Sequence, residues 1–271
     1  MALFDVHAHL TSPRLAPDEA AILDRARRAG VGTIISNGLN PADNQAVLEL
    51  SRRSGGLVEP AFGLYPVDAV LPEMKAMGVP YPRDDEGAIP TAEEGVAWVR
   101  DHVDEAFAVG EIGLDGHWVP EALWERQEQV FRELVALAME ADKPIIVHTR
   151  RRERRTLEIL QEMGANRVDW HCFGSRVKLA RQIAQLDGHY LSIPANVARV
   201  ESFARMIETL PRDRLLLETD CPYLSPEPGR ASEPADAAHT VRFAAQAWGC
   251  GEDEVVARLD DNFAALFGRP P

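Results

Sequence analysis

Short apolar, β-rich runs alternate along this chain with longer stretches whose apolar positions recur three or four residues apart. The first pattern predicts strands and the second amphipathic helices. Strands are expected at Leu3–Val6, Thr33–Ser36, Leu57–Gly63, Ala106–Ile112, Pro144–His148, Arg167–His171, His189–Ile193 and Arg214–Glu218. Helical spacing is clearest from Trp124 to Ala141, where Val130, Leu134, Leu137, Ala138 and Ala141 share a face. Pro17–Ala29, Ala42–Ser54, Thr91–Glu105, Arg154–Glu162, Val177–Leu186, Val200–Thr209 and Pro234–Trp248 read the same way. Eight such alternations predict an α/β protein, a (β/α)8 TIM barrel with its active site at the C-terminal ends of the strands.

Two segments break the alternation. Pro66–Pro90 carries several prolines and two glycines and is too long for a routine connection. It follows the third strand on the active-site face, so it reads as an inserted loop over residues 66–90, either a substrate lid or a decoration. Near the end, Glu254–Phe267 predicts one more helix under the barrel, within a C-terminal segment 252–268. With no internal repeat or low-complexity linker, residues 1–271 are expected to form one domain.

The polar residues that end the apolar runs carry the chemistry. His7 and His9 stand one residue apart at the end of the first run, so on a strand both imidazoles project to one face. Glu111, His148, His171 and Asp220 end four later runs. Singly, each has an ordinary reading: His148 a core histidine, Asp220 the cap of a turn before Pro222, Glu111 a solvent-facing loop carboxylate. Jointly, four imidazoles and two carboxylates suffice for two adjacent divalent cations, with Glu111 able to serve both through its two oxygens. Mixed nitrogen and oxygen donors without thiolates suit Zn, Mn, Fe or Ni, and Mg less naturally. Asp220 could take a proton from an activated water and return it to the leaving group. A barrel of the metal-dependent hydrolase type is therefore expected.

Charge and cysteine content narrow the rest. A net charge of -14 excludes a broad basic face for coating duplex nucleic acid, but not a grip on one strand end or one phosphate. Arg150, Arg151, Arg152, Arg154 and Arg155 are the one strong positive run, either a phosphate anchor centred on Arg150 or a solvated helix start. Cys172, Cys221 and Cys250 show no paired spacing, so a disulfide framework is not expected, and the first two read as small buried residues. His102 and His239 lie in helical patterns as surface residues, and His189 opens a strand at the opposite end as a structural one. No basic segment and apolar core precede Asp5, and no apolar stretch approaches the ~20 residues of a membrane span. A cytoplasmic location without membrane or obligate protein partner is expected.

At these positions the sequence closely resembles the TatD family of metal-dependent deoxyribonucleases, in the amidohydrolase superfamily. The resemblance rests on Asp5-Val6-His7-Ala8-His9-Leu10, Gly110-Glu111-Ile112-Gly113-Leu114-Asp115, Pro144-Ile145-Ile146-Val147-His148-Thr149-Arg150, His171-Cys172-Phe173 and Leu217-Glu218-Thr219-Asp220-Cys221-Pro222-Tyr223-Leu224. Gly229-Arg230 before Glu233-Pro234, and Asn262 with Leu266-Phe267-Gly268, extend it over nearly the whole chain. It implies two divalent cations (Mg, Mn, Zn or Ni) held by His7, His9, Glu111, His148, His171 and Asp220, with Mg-dependent exonucleolytic trimming of DNA ends as the common activity. The chain departs from the family pattern after the third strand. Where Gly-x-His-Pro-His is usual, it reads Gly63-Leu64-Tyr65-Pro66-Val67, which puts a neutral phenol near the expected scissile phosphate. An acidic residue often found after Arg150 is Arg151 here, and Ala231-Ser232 replace a frequent basic-Asn pair.

The expected function is a phosphodiesterase acting on single-stranded DNA or nucleic-acid ends, with Asp220 and Glu111 catalytic and Tyr65 and Arg150 meeting substrate. The competing enzyme reading is hydrolysis of another ester, lactone, amide or aminoacyl ester by the same activated water, since one barrel hosts many hydrolases. A non-enzymatic binding protein that retains the barrel is the least expected, given the complete ligand set.

Overall fold

The computed structural model describes residues 2–82 and 88–271. Eight parallel strands follow one another in sheet order: β1 (Leu3–Ala8), β2 (Val31–Asn37), β3 (Val58–Phe62), β4 (Ala108–Asp115), β5 (Ile145–Arg150), β6 (Val168–Trp170), β7 (His189–Pro194) and β8 (Leu215–Glu218). Among the described residues ten helices accompany them: α1 (Glu19–Arg28), α2 (Pro41–Arg53), α3 (Leu71–Ala76), α4 (Ala92–His102), α5 (Trp124–Glu140), α6 (Glu153–Met163), α7 (Val177–Ile183), α8 (Glu201–Thr209), α9 (Ala237–Trp248) and α10 (Glu252–Phe267). The fold is the expected (β/α)8 barrel.

Closure of the ring is carried by the residues around the site. The His9 amide donates to the Cys221 carbonyl at 2.8 Å, and the Asp220 amide to the His7 carbonyl at 2.9 Å. Beneath them, Asp5 on β1 accepts from the backbone amides of His7 and Thr219 and from the Thr219 hydroxyl. Thus the backbone bonds that join β8 to β1 also fix His7, His9 and Asp220 relative to one another.

All eight predicted strands are present, but β1, β4 and β5 run on past their predicted ends. β4 and β5 stay paired through Gly113↔His148, Leu114↔Thr149 and Asp115↔Arg150. The apolar pattern stops where side chains begin to face the site, while the backbone still requires its ladder partners. Two glycines permit the crowding there. A Cβ on Gly63 would lie 2.5 Å from the Glu111 amide nitrogen, and one on Gly113, at φ 153°, would lie 1.9 Å from the His148 carbonyl oxygen.

The segment read as an inserted loop contains a 3-10 turn, Asp68–Val70, and helix α3, which the proline-rich pattern concealed. Val67, Val70 and Met74 are buried with Val119, and Tyr65, Tyr81 and Trp118 pack against them. This part is anchored on the loop after β4; residues 83–87 of the segment lie outside the described residues. At the other end of the barrel, Phe263 of α10 packs on Phe4 at 4.8 Å and Phe267 at 4.5 Å, sealing the floor as predicted. Each fully buried phenyl ring there contributes roughly 1.5–3 kcal/mol. Among the described residues, no helix is long and apolar enough to cross a membrane.

Candidate metal centre

Six predicted residues converge at the C-terminal mouth of the barrel. His7 and His9 leave β1 with their Nε2 atoms 3.1 Å apart. Glu111 Oε2 lies 3.4 Å from His7 Nε2 and 3.5 Å from His9 Nε2. Asp220 Oδ1 lies 3.8 and 3.4 Å from the same two nitrogens. His7, His9 and Glu111 lie close enough together to hold one cation, and Asp220 also groups with His7 and His171. The other oxygen of Glu111 faces a second group: Oε1 is 2.7 Å from His148 Nδ1 and 3.5 Å from His171 Nε2. Glu111 therefore presents one oxygen to each of two donor groups, and each group could hold a metal ion.

The outward nitrogens of the histidines are fixed by carboxylates and carbonyls. Assigning the imidazole protons from these contacts, His9 donates from Nδ1 to the Asn37 carbonyl at 3.1 Å. His148 donates from Nε2 to Asp115 Oδ2 at 3.2 Å, and His171 from Nδ1 to Glu218 Oε2 at 3.1 Å. In the neutral imidazole each bond puts the ring proton on the outward nitrogen, which leaves the inward one to bind a metal. Asp115 is itself held by the His117 and Trp118 amides. Glu218 also accepts from the Ser192 hydroxyl at 2.7 Å. Asp115 and Glu218 lie within the motif runs of the sequence, where no role is expected of them. The available signal is position: each is the last residue of its strand, β4 and β8.

Protons neutralise these buried carboxylates in the absence of another cation. Burial opposes a charge on His9, but the Asp220 and Glu111 carboxylates outweigh it and hold the imidazole at about 9. Burial likewise opposes charge on His171, and Glu218 with Glu111 pushes it up to about 10. His7 behaves oppositely. Burial and the stacked His171 ring, 3.5 Å away, hold it down at about 3. Burial acts to raise Asp220, yet His9, His171 and His7 keep its carboxyl below the usual range. The carboxylates thus hold protons on His9 and His171 that a metal cation would displace.

A family model for the TatD related DNase matches residues 4–268. The chain belongs to the TatD related DNase family. The uncharacterized metal-dependent hydrolase YabD of Bacillus subtilis is 30% identical over 98% of this chain and 98% of that protein. The 3'-5' ssDNA/RNA exonuclease TatD of Erwinia amylovora is 30% identical over 98% of this chain and 100% of that one. The crystal structure of YJJV, a TatD homologue from Escherichia coli K12, matches with a TM-score of 0.83 and 27% identity, covering 99% of this chain and 98% of that one. As a TatD-family protein, the chain is a metal-dependent hydrolase acting on ester bonds.

The remaining predicted residues of this TatD-family chain divide clearly. The Tyr65 ring meets His148 edge-on at 5.0 Å, and burial followed by the Glu111 charge raises its hydroxyl well above the usual range. It stays a neutral group beside the site. Arg150 is exposed at the end of β5, within electrostatic reach of Cys172, two residues past the end of β6. Its neighbours are engaged elsewhere: Arg152 lies over the Trp124 ring and pairs with Glu128, which also takes Arg155. Cys221 is buried as expected, whereas Cys172 is only half-buried because the chain turns out of β6 there with φ 45°. Burial raises both thiols well above their usual range, so neither is a thiolate. His189 is structural: Trp170 Nε1 donates to its Nδ1 at 3.0 Å, and its Nε2 donates to the Ala165 carbonyl. His102, half-buried rather than on the surface, stacks on Trp98 at 4.0 Å.

Because Asp115 orients His148, Asp115→Asn is expected to lower metal affinity by about 10–100-fold with little change in fold. Metal titration of the apoprotein checks this; unchanged affinity would show that His148 needs no such partner.

Proposed function

We propose that this protein hydrolyses phosphodiester bonds in single-stranded DNA or at nucleic-acid ends, using two divalent cations. The observation that carries the reading is Glu111, whose two oxygens face two separate groups of donors. His7, His9 and Asp220 would hold one cation and His148 and His171 the other. Cations at such spacing supply Lewis acidity toward a phosphoryl oxygen and an acidified water. Asp220, kept ionised by the surrounding imidazoles, would accept a proton from the attacking water and return it to the departing oxygen. Arg150, with no carboxylate partner among the described residues, would hold a phosphate at the rim. Two similarities support the substrate class: the DNase family itself and the exonuclease named in Erwinia amylovora. Localisation in the cytoplasm, a single domain over 1–271 and a lid role for part of 66–90 belong to the same proposal.

The test is chelated protein reconstituted separately with Mg, Mn, Zn and Ni, offered single-stranded DNA beside a panel of carboxylic esters and lactones. Metal-dependent cleavage of the DNA is expected. Robust ester hydrolysis with intact DNA in every metal would sink the reading. Tyr65→His should raise DNA cleavage about tenfold, because an imidazolium adds a charge-assisted contact that the neutral phenol lacks. No gain would mean that Tyr65 does not limit the reaction.

A further inference from the structure

Beside the metal centre, on the same face of the barrel, lies a second concavity of about 320 Å³. Its walls are the loop after β7, carrying Asn196 and Arg199, and the loop after β8, carrying Leu224, Ser225, Glu227 and Arg230. That second loop also carries Asp220, four residues before Leu224, so one loop contributes to both the metal centre and the cavity. The volume is at the lower end of small-ligand sites, which run from about 300 Å³ upward, and suits one nucleotide rather than a longer segment.

Two side chains in it have capacity that the protein leaves unused. Asn196 is only 8% exposed, yet its carboxamide makes no hydrogen bond among the described residues, and its Oδ1 is fully buried without a partner. Buried amides are nearly always paired, by protein, water or ligand. Arg199 donates to the Ser225 carbonyl at 3.1 Å but meets no carboxylate among the described residues. Arg230, by contrast, is neutralised by Asp236 at 2.6 and 2.8 Å and by Glu227 at 3.2 Å. One uncompensated guanidinium therefore stands beside one unsatisfied carboxamide, in a chain whose net charge is -14.

We propose that this cavity is a nucleotide subsite, in which the Asn196 carboxamide meets the edge of a base and Arg199 holds a phosphate of the same strand. The Asn196 Nδ2, which bonds nothing among the described residues, can donate to an acceptor on a base edge, and a guanidinium matches phosphate oxygens in pairs. The inference rests on the nuclease reading above and adds to it where the nucleotide next to the scissile bond is held.

Calorimetry of the purified full-length protein with the four deoxynucleoside 5′-monophosphates, and with inorganic phosphate, tests it directly. Asn196→Ala and Arg199→Ala should each weaken monophosphate binding by about tenfold. Inorganic phosphate should be weakened by Arg199→Ala alone. The melting temperature of Asn196→Ala should stay unchanged, because its carboxamide bonds nothing in the folded chain. Unaltered affinities in both variants, or no nucleotide binding to the parent protein, would overturn the subsite. In kinetics, the loss should appear with an oligonucleotide and be absent with bis(p-nitrophenyl) phosphate, which has no base; equal effects on both would also overturn it. A protein that binds nucleotides through Asn196 but hydrolyses no phosphodiester would keep the subsite and remove the nuclease reading. A nuclease indifferent to both substitutions would do the reverse.

Discussion

Glu111→Gln is expected to lower kcat/KM for phosphodiester hydrolysis by at least about 10³-fold and to leave the protein short of metal. Glutamine keeps the shape but has one oxygen, so either the group of His7, His9 and Asp220 or that of His148 and His171 would face an amide nitrogen. Losing the shared ligand removes several kcal/mol of transition-state stabilisation, and each ~1.4 kcal/mol is about tenfold in rate. Metal analysis of the dialysed variant, with steady-state kinetics at saturating metal, measures both effects. A variant that binds as much metal as the parent and keeps its rate would eliminate the bridging role.

Removing the metal should have the second-largest effect, on stability, and the effect should depend on pH. At a free concentration near 100 times its dissociation constant, a ligand stabilises the folded state by about 2.7 kcal/mol. For a chain of this size that corresponds to roughly 5–10 °C in Tm. In the metal-free protein His9 and His171 are held at about 9 and about 10, above the unfolded value of 6.5. Their contribution is therefore fully present below about pH 6.5 and is lost as pH rises through 9 to 10. His7, held at about 3, has the opposite sign: its contribution is present above pH 6.5 and is lost as pH falls toward 3. Metal must displace the protons on His9 and His171, so its affinity rises with pH. The gap in Tm between loaded and chelated protein should widen from pH 6 to pH 8.5, as scanning calorimetry would record. A gap that narrows over that range would mean these imidazoles are not protonated when the metal is absent.

The parts of the site that were legible in the sequence share a physical cause. A polar residue at the end of a parallel strand interrupts an apolar run, so His7, His9, Glu111, His148, His171 and Asp220 each stand out against their neighbours. Asp115 did not, because its carboxyl points back to orient His148 rather than toward the centre, and the backbone pairing that carries it sits beyond the apolar pattern of β4. Glu218 was hidden similarly, two residues before Asp220 and bonded to His171 from behind. Helix α3 was missed because Pro72 and its flanking prolines read as loop, although a proline in the first turn of a helix costs no hydrogen bond.

By itself, the sequence determined the alternation of eight strands and their helices, hence the barrel, and the identity of the residues brought to its mouth. Local periodicity suffices for that, since each β/α unit is a contiguous stretch of chain. Tertiary structure decided how the donors divide into two groups about Glu111 and which nitrogen of each histidine faces inward. It also decided which arginines of the basic run are paired, since Glu128 takes Arg152 and Arg155. These depend on atoms from strands far apart in the chain, placed within 4 Å of one another only when β8 closes onto β1.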